Sequence, residues 1–439
     1  MIVMGGIVGS GIFINPYVVA QIVHTPVLIL SAWIVGGAIA LVGAFIYAEL
    51  ADRLPQVGGQ YAYLRKAYHP AVGFLYGWVA LLVIHAGGTA AVVVTFAKYF
   101  QLILSGGSEK ITAVTVIVAL TVVNCMGVRA GGTVQSVFMI FRILAISTVV
   151  LCGGWFIWAS PAAPHVAWQP LSDRPASFGL LSAFGAAMVP VLFGYGGWQT
   201  SNYMAGEIRE PRKNLPRALV LGVLGIIALY LTVNFVYVQA LSPAALAATS
   251  TPASQVMRLA FGRAGSSLVA ALIAISTVGF LSQALLSYPR LYFAMASDGL
   301  LPAWFARINP RTLVPTGTII LQGAVTIAVV LLGTYEQILS YVVVMDWLFF
   351  GLTATCIFVF RAREGREPPA DAADKKGFRV PGHPWTTGLF VAIAWFITLN
   401  TIYKYPRNAG VALCILFAGF PVFYFFRGRA RRSIGSKRD

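Results

Sequence analysis

Apolar stretches of about 20 residues, separated by short polar segments, recur along this chain. That length lets an α-helix cross the roughly 30 Å hydrocarbon core of a bilayer. We count twelve predicted spans, at approximately 1–22, 27–52, 70–103, 110–128, 133–159, 180–206, 215–240, 264–296, 315–333, 336–361, 384–404 and 407–427. Charged residues make up 10% of the 439 residues, against about 25% in an ordinary soluble domain. The sequence therefore predicts an all-α polytopic membrane protein, folded as one transmembrane domain over 1–439.

The net charge of +17 follows the predicted topology. With a cytoplasmic N-terminus, 23 of the 31 Lys and Arg residues fall in cytoplasmic segments, six fall in outer segments, and Lys98 and Arg142 lie within spans. This asymmetry is the one the positive-inside rule requires, and an even number of spans places both termini in the cytoplasm. We interpret the excess charge as a topology signal and a contact with the lipid bilayer, so nucleic acid is not expected as a partner.

Two glycine-rich runs interrupt the first and sixth spans: GIVGSGIF at 6–13 and FGYGGWQ at 193–199. An unpaired peptide group in hydrocarbon costs several kcal/mol, so such breaks persist at membrane depth where the backbone faces protein, water or a ligand. A pair of breaks, one in each half of a chain, is typical of the midplane binding site of secondary transporters. The alternative reading is that the glycines permit tight helix crossing.

The spans also indicate an internal repeat. Spans one to five, at about 1–159, and spans six to ten, at about 180–361, can be superposed so that each set begins with a broken helix. An odd number of spans per half gives the two halves opposite orientations, which is a 5+5 inverted repeat. The last two spans, at about 384–427, are then accessory.

The termini of broken helices predict the chemistry of the ligand. The half-helix beginning near Gly11 presents N–H groups and a positive dipole end, which favour a carboxylate, and Ser10 can add a hydroxyl donor. The halves ending near Ile7 and Phe193 present carbonyl groups, which suit an ammonium. An α-amino acid satisfies both ends. Glycines at 9, 11, 194, 196 and 197 allow close approach and non-helical dihedrals.

Several ordered motifs resemble the amino acid–polyamine–organocation superfamily, and within it the L-type amino acid transporters and their bacterial relatives. They are GIVGSGIF at 6–13, YAEL at 47–50, PQVGGQYAYLRKAY at 55–68, FLYGW at 74–78, FGYGGWQTSNYMAGEIREPRKNLPRAL at 193–219, SYPRLYFAMASDGLLP at 287–302 and SYVVVMDWLFF at 340–350. The resemblance covers nearly the whole chain. It implies the LeuT-type fold with twelve transmembrane helices and Na⁺-independent transport of amino acids.

The resemblance also implies roles for substrate-binding residues, which comprise Ile7, Ser10, Gly11, Phe193, Gly194, Gly196, Trp198 and Gln199. Ser10 and Gly11 would bind the carboxylate, and carbonyls of Ile7, Phe193 and Gly196 would bind the amine. Phe193 would also be an aromatic gate over the substrate. Trp198 and Gln199 would shape the side-chain pocket. For Phe193 and Trp198 the alternative is plain core packing, since aromatic residues fill cores in all proteins.

Arg142 lies in the fifth span with apolar residues on every side, so the cation needs a partner or a function. Its position resembles that of a family lysine that stands where sodium-coupled relatives bind Na⁺, between the broken first helix and the eighth span. A carbonyl near Gly5 or Gly6, with Ser276 and Thr277, would solvate it. Because guanidinium keeps its proton, we expect no obligatory proton or sodium coupling. The alternative is that Arg142 snorkels to an interface.

Other polar residues within spans are weaker signals. Asp346 is costly at depth and needs a partner that the sequence does not identify. His85 is expected to be a satisfied core or pocket residue rather than a ligand or proton relay. Glu49 and Asp52 end the second span and are expected to pair with cytoplasmic arginines. The alternatives within transport are a cationic amino acid or polyamine carrier and a proton-coupled symporter. Cationic substrates would need a carboxylate in the pocket, for which only Asp346 is a candidate, and they would also face Arg142, so neutral amino acids are favoured.

The remaining expectations concern partners and location. No catalytic cluster, cofactor or metal site is recognisable, since the five histidines are scattered, so an enzyme is not expected. Eukaryotic L-type relatives are disulfide-linked to a heavy chain through a cysteine between spans three and four, and the corresponding loop, 105–110, has none. We therefore expect no covalent heavy chain and a prokaryotic plasma membrane. Few residues precede the first break, so Met1 is expected to be an internal start.

Overall fold

The structure is a computed structural model that describes residues 2–435 apart from 56–57, 105, 128–131, 162, 165, 169, 171, 174, 208–209 and 367–376. The described part is helical and contains no strand. The expectation about Met1 and the middle of the loop between the tenth and eleventh spans lie outside the described residues. The α-helices are α1 Ile2–Ile7, α2 Gly11–Val23, α3 Pro26–Arg53, α4 Gln60–Ala67, α5 Pro70–Val79, α6 Ala86–Gln101, α7 Glu109–Cys125, α8 Gly132–Ala159, α9 Phe178–Tyr195, α10 Pro211–Ala247, α11 Pro252–Ser287, α12 Pro289–Ser297, α13 Thr316–Leu332, α14 Tyr335–Arg366, α15 Trp385–Lys404 and α16 Pro406–Gly435.

Each predicted span has a helix, or a pair of consecutive helices, at its position. Within the described residues, nine segments are long and apolar enough to cross a membrane, and α2 and α13 are shorter apolar helices. The first span falls short because its break divides it into six and 13 residues. The all-helical membrane fold is confirmed, whereas the count of twelve crossings stays a prediction.

Irregular segments join several of these helices. A π-helix, Ala80–His85, connects α5 to α6, and a 3₁₀-helix, Trp198–Glu207, follows α9. Non-helical dihedrals at Ser242 divide α10, and those at Phe261 and Gly262 divide α11. These kinks lie close to the predicted ends of spans seven and eight, so the apolar pattern located the boundaries.

The two broken helices lie together inside the bundle. Helix α2 packs along α9, and α1 packs against the 3₁₀-helix after α9. Helix α3 packs along α10. These two helices are the second spans of the two halves, so the 5+5 arrangement makes them equivalent. This packing is compatible with inverted repeats at about 1–159 and 180–361, and that division stays a prediction. Helices α6, α11 and α14 complete the wall around the breaks.

A buried carboxylate ties three segments together at the end of α3. Glu49 is fully buried and accepts hydrogen bonds from Arg53 Nε at 3.0 Å, Arg361 Nε at 2.9 Å and the Val380 N–H at 2.6 Å. Arg53 also pairs with Glu364. The expected pairing of Glu49 with arginines is thus confirmed, and it joins α3 to α14 and to the segment before α15.

This cluster predicts a large effect on stability. Removing one partner of a buried ion pair costs about 3–5 kcal/mol, because the remaining charges are left uncompensated. We expect Glu49→Gln to lower the free energy of unfolding by about 3 kcal/mol, measured as a fall in the Tm of the purified protein. The control is Asp173→Asn, which breaks a partly exposed pair with His24. Equal Tm values for the two variants would contradict this interpretation.

Candidate functional site

Both predicted interruptions are breaks in the helices. Helix α1 ends at Ile7 and α2 begins at Gly11, while α9 ends at Tyr195. Gly196 has extended dihedrals, with φ −66° and ψ 168°, and Gly197 has φ +100°, a conformation that favours glycine. The chain then continues as a 3₁₀-helix from Trp198. The prediction of broken first and sixth helices is therefore confirmed.

The two breaks touch each other through their glycines. A Cβ atom on Gly197 would lie 2.1 Å from the Gly6 carbonyl oxygen, and one on Gly11 would lie 2.7 Å from Gly194 Cα. The alternative interpretation, that the glycines permit two helices to pack tightly, therefore holds at these four positions. At Gly9 the nearest atom would be a ring carbon of Phe280 at 3.6 Å, an ordinary contact. The glycines bring two main chains together, and a cavity lies beside them.

This central cavity has a volume of about 70 Å³ and takes its walls from both breaks and from α6, α11 and α14, with the π-helix and the residue after α11. The breaks contribute Gly6, Ile7, Gly9, Ser10, Gly11, Leu192, Phe193, Gly194, Gly196, Gly197, Gln199 and Thr200, and the other segments contribute Ile84, His85, Gly88, Val92, Phe280, Tyr288, Val342, Val343, Asp346 and Trp347. Seven of the eight predicted substrate-binding residues thus surround one space.

Trp198 is the predicted residue that is not among the lining residues. Its ring stacks on Phe350 at 5.2 Å and meets the edge of Tyr47 at 4.7 Å. In this structure Trp198 therefore packs in the core, which is the alternative that the sequence left open. Gln199 does line the cavity, and its Oε1 accepts the Gly197 N–H at 2.9 Å, which satisfies one peptide group of the break.

Several carbonyls of the breaks already have donors. The Ile7 oxygen accepts the Gly9 N–H at 2.7 Å and the Tyr230 hydroxyl at 3.3 Å. The Phe193 oxygen accepts the Gly196 N–H at 3.2 Å. A carbonyl oxygen has two lone pairs, so Ile7 has both in use here and Phe193 keeps one. Of these two predicted acceptors for an ammonium, Phe193 is the better placed in this conformation.

Ser10 stands at the start of α2 with an unused hydroxyl. The residue is fully buried, makes no side-chain capping bond, and its Oγ has no hydrogen-bond partner among the described residues. The first N–H groups of a helix have no partner within the helix, and they carry its positive dipole end. A buried hydroxyl without a partner costs about 1–3 kcal/mol. Ser10 and the start of α2 therefore offer donors to an anionic group in the cavity.

His85, Tyr288 and Asp346 provide the polar side chains of the other walls. The His85 ring lies flat on Tyr288, with centroids 3.8 Å apart, and its Nδ1 is 2.8 Å from the Tyr292 hydroxyl. Such π-helical segments are frequent at functional sites, and this one places His85 at the cavity. His85 is thus the satisfied pocket residue that the sequence predicted. Asp346 Oδ1 has no hydrogen-bond partner among the described residues.

Arg142 lies behind the cavity wall. The residue is 3% exposed, so it does not snorkel to an interface. Its Nε donates to the Ser276 carbonyl oxygen at 3.3 Å, and its guanidinium carbon lies 5.5 Å from the centroid of the Phe280 ring, which lines the cavity. The hydroxyls of Ser276 and Thr277, expected to solvate it, both donate to the Ile273 carbonyl of their own helix. The main chain of α11 thus contributes a hydrogen bond to Arg142.

Comparisons with known proteins bear on the whole chain. A family model described as amino acid permease matches residues 1–425. The chain belongs to the amino acid permease family. It is 29% identical to the serine/threonine exchanger SteT of Bacillus subtilis (strain 168) over 437 residues, covering 98% of this chain and 95% of that protein.

Mammalian members of this family are similar as well. The chain is 30% identical to the large neutral amino acids transporter small subunit 2 of Mus musculus over 441 residues, covering 96% of this chain and 78% of that protein. It is 27% identical to the Asc-type amino acid transporter 1 of Mus musculus over 446 residues, covering 98% and 81%. Together with the apolar helices, this makes the permease a multi-pass membrane protein.

The geometry of the second break predicts that Gly197 tolerates no side chain. Gly197→Ala would place a methyl group against the Gly6 carbonyl, and its positive φ adds strain of about 1–3 kcal/mol. Strain of this size changes an equilibrium by a factor of about ten. We therefore expect purified Gly197→Ala to lose at least about 90% of amino acid uptake in proteoliposomes. The control is Gly154→Ala in α8, where a Cβ meets nothing within 4 Å. A fully active Gly197→Ala variant would contradict the close approach of the breaks.

Proposed function

We propose that this permease is a secondary transporter of neutral L-α-amino acids that works by exchange or facilitated flow through alternating access. One observation carries the proposal: the two helix breaks line one cavity together with the Ser10 hydroxyl, which has no hydrogen-bond partner among the described residues. Donors at the start of α2 suit the substrate carboxylate, and remaining main-chain acceptors, including Phe193, suit its ammonium. The similarity to transporters and exchangers of neutral amino acids supports this assignment.

The size of the cavity favours small substrates. A cavity needs about 10–15 Å³ to hold one water, so about 70 Å³ is room for a few waters or for one small solute. Glycine, alanine, serine and threonine are small solutes of this kind. A lysine or polyamine chain is longer, so this conformation disfavours the cationic carrier even though Asp346 lies at the cavity.

The remaining assignments follow the sequence. Arg142 holds a permanent charge at the coupling position, which supports transport without an obligatory Na⁺ or proton. The protein works in the plasma membrane of a bacterium, with both termini in the cytoplasm and no disulfide-linked heavy chain. Inverted repeats supply the two orientations that alternating access requires. The substrate is carried unchanged, so the protein is a transporter rather than an enzyme.

Ser10 gives the sharpest test of the binding mode. Ser10→Ala removes a hydrogen bond to a charged group, which is worth about 1.5–3 kcal/mol, so the KM for alanine is expected to rise about 10-fold or more. Uptake of radiolabelled alanine into proteoliposomes preloaded with unlabelled alanine measures it. The control is Thr232→Val, because Thr232 lies in α10 away from the cavity and donates to the Ala228 carbonyl of its own helix. An unchanged KM in Ser10→Ala would remove Ser10 from the site.

A second experiment tests coupling through Arg142. We expect exchange by the wild type to be unchanged when Na⁺ is replaced by choline and to show no strong stimulation by an inward pH gradient. Arg142→Ala is expected to reduce transport at least 10-fold, since it removes a buried hydrogen bond to the Ser276 carbonyl and the contact with the Phe280 ring, and Arg142→Lys is expected to retain part of it. Strong stimulation of the wild type by the pH gradient would instead support a proton-coupled symporter.

A further inference from the structure

Asp346 has no role in the binding mode derived above, although it lies at the same cavity. Helix α14 presents Val342, Val343, Asp346 and Trp347 to the cavity, a spacing that puts all four on one face. Of the described residues that line the cavity, Asp346 alone is acidic. It is therefore a carboxylate built into an otherwise apolar face of α14.

The carboxylate lacks the partner that its position requires. Asp346 Oδ1 is buried, with no hydrogen-bond partner among the described residues, and the carboxylate forms no ion pair with any of them. Arg142, a buried cation, lies 5.5 Å from the centroid of the Phe280 ring and donates to the Ser276 carbonyl oxygen. An acceptor left unsatisfied in a buried site costs more than an ordinary hydrogen bond gains. A donor from a bound substrate would remove that cost.

The distribution of polar groups around the cavity indicates which part of the substrate supplies this donor. The two breaks contribute main-chain groups and Ser10, which suit the carboxylate and ammonium that all α-amino acids share. The walls from α6, α11 and α14 contribute side chains, mostly apolar, with Asp346 among them. The substrate side chain is the part left to meet these walls. Since the cavity is about 70 Å³, that side chain is short.

We propose that Asp346 is a specificity-determining residue that accepts a hydrogen bond from the side-chain hydroxyl of the substrate and so selects serine and threonine over apolar amino acids of the same size. This inference rests on the proposed function. A site that hydrogen-bonds a substrate hydroxyl discriminates against the analogue that lacks it, because the protein group is then left unpaired. His85 and Tyr288, stacked on each other, form an aromatic wall of the same cavity.

Threonine and valine test the proposal because they have nearly the same shape and differ in the hydroxyl. Purified protein in proteoliposomes is loaded with unlabelled alanine, and unlabelled threonine or valine competes for uptake of labelled alanine. We expect threonine to compete at least about 10-fold better than valine in the wild type, the size of one hydrogen bond to a charged group. In Asp346→Ala this ratio is expected to fall to within about 2-fold, because threonine loses affinity and valine loses much less.

A matched control and a conservative variant complete the experiment. Asp173→Asn removes a carboxylate paired with His24, outside the lining residues, and is expected to keep the wild-type ratio. If Asp346→Ala does not yield a monodisperse protein, the isosteric Asp346→Asn decides, with a ratio expected to fall at least about 3-fold.

Three outcomes would overturn the inference. Wild-type protein that takes up alanine with equal competition by threonine and valine would refute it and leave the proposed function intact. An equal loss of affinity for both competitors in the Asp346 variants would show that the carboxylate binds a group common to all substrates or carries a proton. Failure of the wild type to take up or exchange any amino acid would instead refute the proposed function itself.

Discussion

The need to satisfy peptide groups inside the membrane is the constraint on which this structure depends. Two helices are interrupted in the middle of the bundle, and each interruption frees N–H and C=O groups that hydrocarbon cannot bond. Part of this demand is met locally, by the Gly9 N–H on the Ile7 oxygen, by the Gly196 N–H on the Phe193 oxygen and by the Gln199 side chain. The remaining polar groups of the breaks, including the Ser10 hydroxyl, face a small cavity. The same main chain that interrupts the helices thus provides the donors and acceptors of the proposed site for a zwitterion.

Hydrogen bonds near both ends of α14 connect it to the helices that carry the breaks and to α3. At its first turn, Tyr335 donates to Asn15 Oδ1 at 2.7 Å, and Asn15 Nδ2 donates to the Pro190 carbonyl at 2.6 Å, which links α14 to α2 and α9. Toward its other end, Arg361 bonds Glu49 of α3. Asp346 lies between these two anchors.

Features that depend on local sequence could be predicted well. The apolar helices, both breaks and the pairing of Glu49 with Arg53 follow from composition, glycine runs and short-range charge patterns, and the structure contains them. Features that depend on packing between distant segments could not. Trp198 is adjacent to a break in sequence, yet its ring packs on Phe350 of α14. The Ile7 carbonyl looks available until Tyr230 of α10 is seen to donate to it. Asp346 was recognisable as a costly charge, but only the fold brings it to a cavity shared with the two breaks, which lie more than 100 positions away in the sequence.

The proposed site recognises both charged ends of an α-amino acid. Competition against labelled L-alanine binding by purified protein tests this most directly, with unlabelled L-alanine, L-alaninamide and N-acetyl-L-alanine as competitors. Each of the two derivatives lacks one charge and keeps the other. We expect both derivatives to compete at least about 10-fold more weakly than L-alanine, since each loses a hydrogen-bonded charge. Competition by either derivative as strong as that of L-alanine would contradict it.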